Sequence, residues 1–133
     1  MNETEKYNQI EKKFLTIGSR QVILDSDVAE LYGVDIMHIN EAIINNPDKF
    51  PKGYIFELSK NEKNEVIKIF NNPQIKFATS APKAFTEKGL YMLAIILKSD
   101  KALQTTIAIV ETFVKVRELA RSVSKLYEIS EEF

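Results

Sequence analysis

The sequence predicts an α+β fold: a small antiparallel sheet with an N-terminal β-hairpin, a helix-turn-helix, and two C-terminal helices, the last of them long. Three observations carry this expectation. Lys13–Ile17 and Arg20–Leu24 are short β-prone runs on either side of Gly18-Ser19. Two short helical segments meet at Gly33. Beyond Ser99, apolar residues such as Leu103, Ile107, Val110, Val114, Leu119, Val123 and Leu126 recur at three- and four-residue spacing, the repeat of a helix face.

Taken in order, residues 1–11 are polar and read either as a frayed start or as a short helix. A two-residue Gly-X loop between the first β-prone runs predicts a hairpin with a type II′ turn. Asp27 followed by Glu30 has the spacing of a capping box, so a helix starts there, and Gly33 supplies the left-handed residue that ends it. Asp35 to Asn46 is a second helix, stopped by Asn46-Pro47. Tyr54–Leu58 reads as a strand, after which Ser59 caps a helix through about Phe70 that Asn71-Asn72-Pro73 breaks. Residues 74–82 form a loop or partial strand, and Lys83–Phe85 pairs onto the sheet. Thr86 is the N-cap of Glu87–Leu97, and Ser99-Asp100 cap the longest helix, Lys101 to about Ile129.

Composition narrows the function classes. The chain has 133 residues, enough for one domain, with 44% apolar and 28% charged residues. No apolar stretch is long enough to span a bilayer, and the polar start lacks the core of a secretory signal, so no membrane role is expected. The absence of cysteine, with a single histidine, argues against disulfides, thiol chemistry and a zinc site, and favours a reducing, cytoplasmic setting. No nucleophile–base pairing, metal-ligand set or Gly-rich phosphate cradle is visible, so an enzyme is not expected, and no cofactor or metal is assigned. Net charge is −1 but polarised. Gln21–Asp48 contains Asp25, Asp27, Glu30, Asp35, Glu41 and Asp48 with no Lys or Arg, whereas most of the lysines follow from Lys49 onward.

A helix-turn-helix needs small residues where its helices cross. Ala29 supplies that contact, Gly33 the turn, and Val34, Ile39 and Ala42 or Ile43 the inward face of the second helix. A generic helical hairpin uses the same residue types. The stretch "LDSDVAELYGV", then "INEAIINN", "AFTEKGLYMLA" and "TIAIVETFVKVREL", resembles the ORF-six-N branch of the KilA-N/Bro-N phage DNA-binding domains, over about Phe14 to Leu119. The resemblance implies an α+β DNA-binding domain of phage and prophage origin, in proteins described as transcription regulators or antirepressors. It divides the chain into an N-terminal tail (1–12), the domain (13–120) and the end of the last helix with its tail (121–133). One departure stands out: the second helix carries no Lys or Arg, where the family is usually basic.

Candidate DNA-facing positions are Ile36, Met37, His38, Asn40, Glu41 and Asn45 on that helix, with Ile44 beside them. Asn40 is suited to adenine, and Ile36 or Met37 to a thymine methyl. Arg20, Lys49, Lys52 and Lys83 are candidates for holding phosphates, set against the ordinary reading of solvated surface cations. The alternative for Ile36, Met37 and Ile44 is a patch for a protein partner. His38, a lone imidazole, is a surface residue sooner than a ligand. The aromatic residues, among them Tyr54, Phe56 and Phe85, belong to the core sooner than to a base-stacking platform. Asp25, Asp27 and Glu30 are assigned to helix capping, not to a metal. The last turns of the long helix are expected to project past the body and pair two copies as a homodimer through Val110, Val114, Leu119, Val123 and Leu126. The expected function is thus a DNA-binding transcriptional regulator acting on double-stranded DNA. The alternative is a protein-interaction module, an antirepressor or host-factor inhibitor, on the same scaffold.

Overall fold

A computed structural model describes residues 3–70 and 81–132. The described residues form α1 (Glu3–Lys13), β1 (Leu15–Ile17), β2 (Arg20–Leu24), α2 (Asp25–Tyr32), α3 (Ile36–Asn45), a 3-10 turn (Pro47–Lys49), β3 (Ile55–Glu57), α4 (Lys60–Phe70), β4 (Lys83–Phe85), α5 (Glu87–Leu97) and α6 (Asp100–Glu132). The architecture is the expected α+β one, with the hairpin at the start and the long helix at the end. The expected break at Asn71-Asn72-Pro73 and the loop at 74–80, Lys76 included, lie outside the described residues. No helix among those described is long and apolar enough to cross a membrane.

The four strands are antiparallel in the order β1-β2-β4-β3. Gly18, at φ 65°, turns β1 into β2 as the Gly-X loop requires. Because side chains alternate across a strand, the register sorts residues onto two faces. Ile23 aligns with Phe85 and Phe85 with Ile55, and this row faces the helices. There Ile23 and Phe85 join Val28, Ile39, Leu93 and Ile109 in the main core. Leu24 aligns with Ala84 and Ala84 with Phe56 on the opposite face. That row forms a second core with Leu15, Val22, Leu58 and Val66 of α4. The sheet therefore separates two apolar interiors. The N-terminal residues take the helical alternative: α1 packs on α6, and Ile10 is fully buried in the main core.

Several helix starts follow their capping chemistry. The Ser59 N–H donates to Glu62 Oε1 at 2.8 Å and the Glu62 N–H donates back to Ser59 Oγ at 3.1 Å, a reciprocal capping box. Ser99 Oγ accepts from the Ala102 N–H at 3.0 Å. The capping box expected at Asp27 and Glu30 does not form. Helix α2 begins two residues earlier, at Asp25, and Lys13 of α1 draws both carboxylates away, lying 3.2 Å from Asp27 and 3.0 Å from Glu30. A lysine seventeen residues from Glu30 in the chain outcompetes the local cap.

Thr86 caps α5 and also ties it to β3. Its N–H donates to the Tyr54 carbonyl at 3.1 Å, and its hydroxyl lies 2.7 Å from the Gly53 carbonyl and 2.9 Å from that of Tyr54. Gly89 sits in the first turn above this point. A Cβ there would stand 2.1 Å from the Tyr54 carbonyl oxygen. Farther along the core, the Tyr32 and Thr106 hydroxyls share a buried hydrogen bond that fastens α2 to α6.

Gly89→Ala should cost about 1–3 kcal/mol in urea unfolding, because overpacking against backbone outweighs alanine's helix propensity. Burial pushes the Tyr32 phenol up to about 12, although its bond from Thr106 pulls the other way. The folded chain therefore holds this proton where the unfolded chain, near 10.0, releases it. The resulting stability is present below pH 10 and is lost as pH rises toward 12. Urea titrations across that range should show a loss in the wild type that Tyr32→Phe lacks. At neutral pH the variant should be weaker by about 1–3 kcal/mol, since Thr106 is left buried without its partner.

Candidate nucleic-acid interface

The α2–α3 unit is set by its turn. Gly33 adopts φ 70° and ψ 34°, a left-handed conformation that costs a Cβ-bearing residue. From there the Gly33 N–H reaches the Glu30 carbonyl at 3.2 Å and the Val34 N–H reaches the Ala29 carbonyl at 3.0 Å. This double closure stops α2 cleanly and redirects the chain. Ala29 and Ala42 are both buried, so small side chains occupy both helices of the unit. Val28, Tyr32 and Ile39 fill the space beneath, with Val34 and Ile43 packed at the margin. The inward set expected from sequence is the inward set observed.

The opposite face of α3 is turned outward. Met37 is 68% and Ile44 73% exposed, and Ile36, His38, Glu41 and Asn45 are exposed as well. The His38 N–H donates to the Asp35 carbonyl at 2.9 Å in the first turn. Asn45 ends the helix, and beyond it the Asn46 side chain donates to the Ala42 carbonyl at 2.9 Å. No lysine or arginine lies on α3 itself.

Cations reach α3 from neighbouring elements. Lys83 of β4 donates through Nζ to Asn40 Oδ1 at 3.3 Å. The same residue helps seat α2: its backbone N–H and its ammonium both act on the Asp25 carboxyl, to which the Ser26 N–H donates at 2.9 Å. Burial nevertheless pushes that carboxyl above the ordinary aspartate range, with the bonds from Lys83 and Ser26 pulling it down. Asp25, Lys83 and Asn40 thus link the start of α2, the central strand β4 and the middle of α3. Lys49 closes the 3-10 turn directly after α3, and Lys52 is exposed just beyond it. Arg20 is placed elsewhere. Its guanidinium lies over the Phe56 ring, 4.7 Å from the centroid, and Phe56 packs with the α4-side core, across the sheet from α3.

Sequence reasoning missed the roles of Lys13 and Asp25. Neither has a local signal, since Lys13 acts on α2 from the end of α1 and Asp25 answers to a strand almost sixty residues later. Among the described residues no three acidic or histidine side chains gather as a metal site. A cavity of about 580 Å³ lies between β1 and α4, lined by Leu15, Ile17 and Val66 with Glu62 and Glu65. Glu62 is spent on the α4 cap and Glu65 pairs with Lys68.

The residues expected to pair two copies divide between two sides of α6. At about 3.6 residues per turn, Val110 and Val114 share a side with Leu103 and Ile107. Leu119, Val123 and Leu126 instead continue the side that carries Ile109, Thr112 and Val116. Val114 is 37% exposed, against 70% for Leu119, 47% for Val123 and 66% for Leu126.

A family model described as the ORF6N domain matches residues 12–96, which covers the hairpin, the α2–α3 unit, the sheet and α5. No curated protein and no solved structure gives a significant match to the chain.

The presentation of α3 makes a stability prediction. Ile44→Lys should change unfolding free energy by no more than about 0.5 kcal/mol, as for other exposed sites. Ile39→Ala, on the sealed face, should cost about 2–5 kcal/mol. Chemical denaturation of both variants checks the orientation of the helix.

Proposed function

The chain belongs to the ORF6N family, and from that premise we propose that it is a non-enzymatic, DNA-binding regulator of phage type. In this reading α3 enters the major groove of double-stranded DNA. One observation carries it: α3 is held by Ile39 and Ala42 while Ile36, Met37, His38, Glu41, Ile44 and Asn45 are exposed, with Lys83 beside it and Lys49 and Lys52 past its C-terminal end. Phosphate contacts supply most of the affinity in protein–DNA complexes. Here they would come from these flanking lysines, and base contacts from Met37, His38, Asn40, Glu41 and Asn45. Asn40 offers its amide N–H groups while its carbonyl oxygen is engaged by Lys83. Glu41 repels phosphates and fits a cytosine amino group.

A second reading is favoured by the exposed apolar side chains of α3. Ile36, Met37 and Ile44 present an apolar stripe with a polar rim, suited to a protein partner such as a repressor or host factor. The two readings respond oppositely to charge.

Fluorescence anisotropy with a duplex selected from a random-sequence pool separates them. DNA binding should weaken steeply with salt, and Lys49→Ala with Lys52→Ala together should lower the log–log slope by about two, close to one per phosphate contact. Ile44→Lys should preserve or raise duplex affinity. No detectable binding at low salt removes the DNA reading. A partner lost in Ile44→Lys and retained after nuclease treatment establishes the protein-partner reading in its place.

A further inference from the structure

We propose that the distal part of α6 pairs with the same segment of a second copy of this chain as a parallel, in-register two-stranded coil. The observation is a single heptad seam that changes surroundings midway. Ala102, Thr105, Ile109 and Thr112 follow the alternating three- and four-residue spacing of such a seam, and all four are buried in the chain's own body. There α6 packs on α1, α2 and α5. Val116, Leu119, Val123 and Leu126 continue the same spacing, yet the last three are largely exposed. The side of the helix that the body covers in its first half thus runs on bare in its second.

Chemistry selects the occupant. Valine at the first position of each heptad with leucine at the fourth is the combination that favours two parallel strands. The charged residues of this segment, Arg117, Glu118, Arg121 and Lys125, all fall on the outer positions. Ala120 and Ser122, which flank the seam, are uncharged. Lys115, which flanks it nearer the body, would face Ala120 of the other copy. Two identical helices therefore meet without like-charge repulsion, and the flanks carry no charge code for selecting a different partner. Val110 and Val114 lie outside this contact, on the opposite side of the helix. The exposed seam is about two heptads long and falls short of the roughly 1,200 Å² buried by stable interfaces. The pair is accordingly reversible and dissociates on dilution. Parallel pairing sets a two-fold axis along the coil and puts both bodies at one end. Only the further consequence, that both α3 helices then address two half-sites, rests on the DNA reading.

The cysteine-free chain allows a direct test without DNA. In the full chain, Val123→Cys should yield a disulfide-linked dimer on mild oxidation, and Arg121→Cys should not. Mixed Leu119→Cys and Leu126→Cys chains should each link to their own kind. Sedimentation should show a monomer–dimer equilibrium that Leu119→Lys abolishes and Val114→Lys leaves unchanged, with circular dichroism confirming that both variants are folded. A monomer at every concentration overturns the proposal. So does linkage of position 119 to 126, which reports antiparallel pairing, or loss of the dimer in Val114→Lys alone. Failure of duplex binding with an intact dimer counts against the DNA reading and leaves the coil standing.

Discussion

The carbonyl of Tyr54 is the point at which strand, strand and helix are joined, and its demands propagate outward. It accepts from the Thr86 backbone N–H and lies within reach of the Thr86 hydroxyl, so β3, the end of β4 and the start of α5 share one atom. The first turn of α5 then descends onto the same oxygen, which only the missing side chain of Gly89 permits. With α5 fixed at this end, Lys98 turns the chain in a left-handed conformation and α6 runs back along it, where Arg117 pairs with Glu87. That return path brings Thr106 under Tyr32 and thereby seats α2. The orientation of α3 thus depends on this approach by two routes, through Tyr32 and α2 and through the direct packing of α3 on α5.

A second set of constraints acts on α3 more directly. The Asp25–Lys83–Asn40 link joins the two helices to the sheet through polar groups, one of them nearly enclosed. An aspartate buried with backbone donors and an ammonium nearby is tolerable, while the same group without them is costly. The link therefore penalises arrangements in which β4 slides relative to the helix pair. It also gives Lys83 two roles, as a strut for Asn40 and as a positive charge at the edge of the proposed groove contact.

Features with local signals were legible in the sequence. The hairpin turn, the Gly33 stop, the caps at Ser59, Thr86 and Ser99, and the inward positions Ala29, Ile39 and Ala42 each depend on residues within a few positions of one another. Contacts between distant residues were not. Nothing near Asp27 signals that Lys13 will take its carboxylate, and nothing near Lys83 signals Asn40. Arg20, grouped with the lysines for its charge, sits over Phe56, because β-strand alternation carries it to the other side of the sheet. The apolar residues of α6 read as one stripe in a list of spacings. Angular position around the helix divides them into two, and the body then covers only one of these along the first half.

The partition of the interior by the sheet has a consequence for how such a domain changes over time. Side chains of the α4 layer meet Leu15, Val22, Leu24 and Ala84, whereas the helix pair meets the alternate residues of the same strands. A volume change in one compartment reaches the other only by moving backbone that is hydrogen-bonded on both sides, a far stiffer medium than side chains in contact. The α4 layer can therefore be repacked, lengthened or adapted to a new contact with little effect on the attitude of α3. The outer face of α3 and the α4 layer are thus mechanically insulated from one another, although the same sheet supports both.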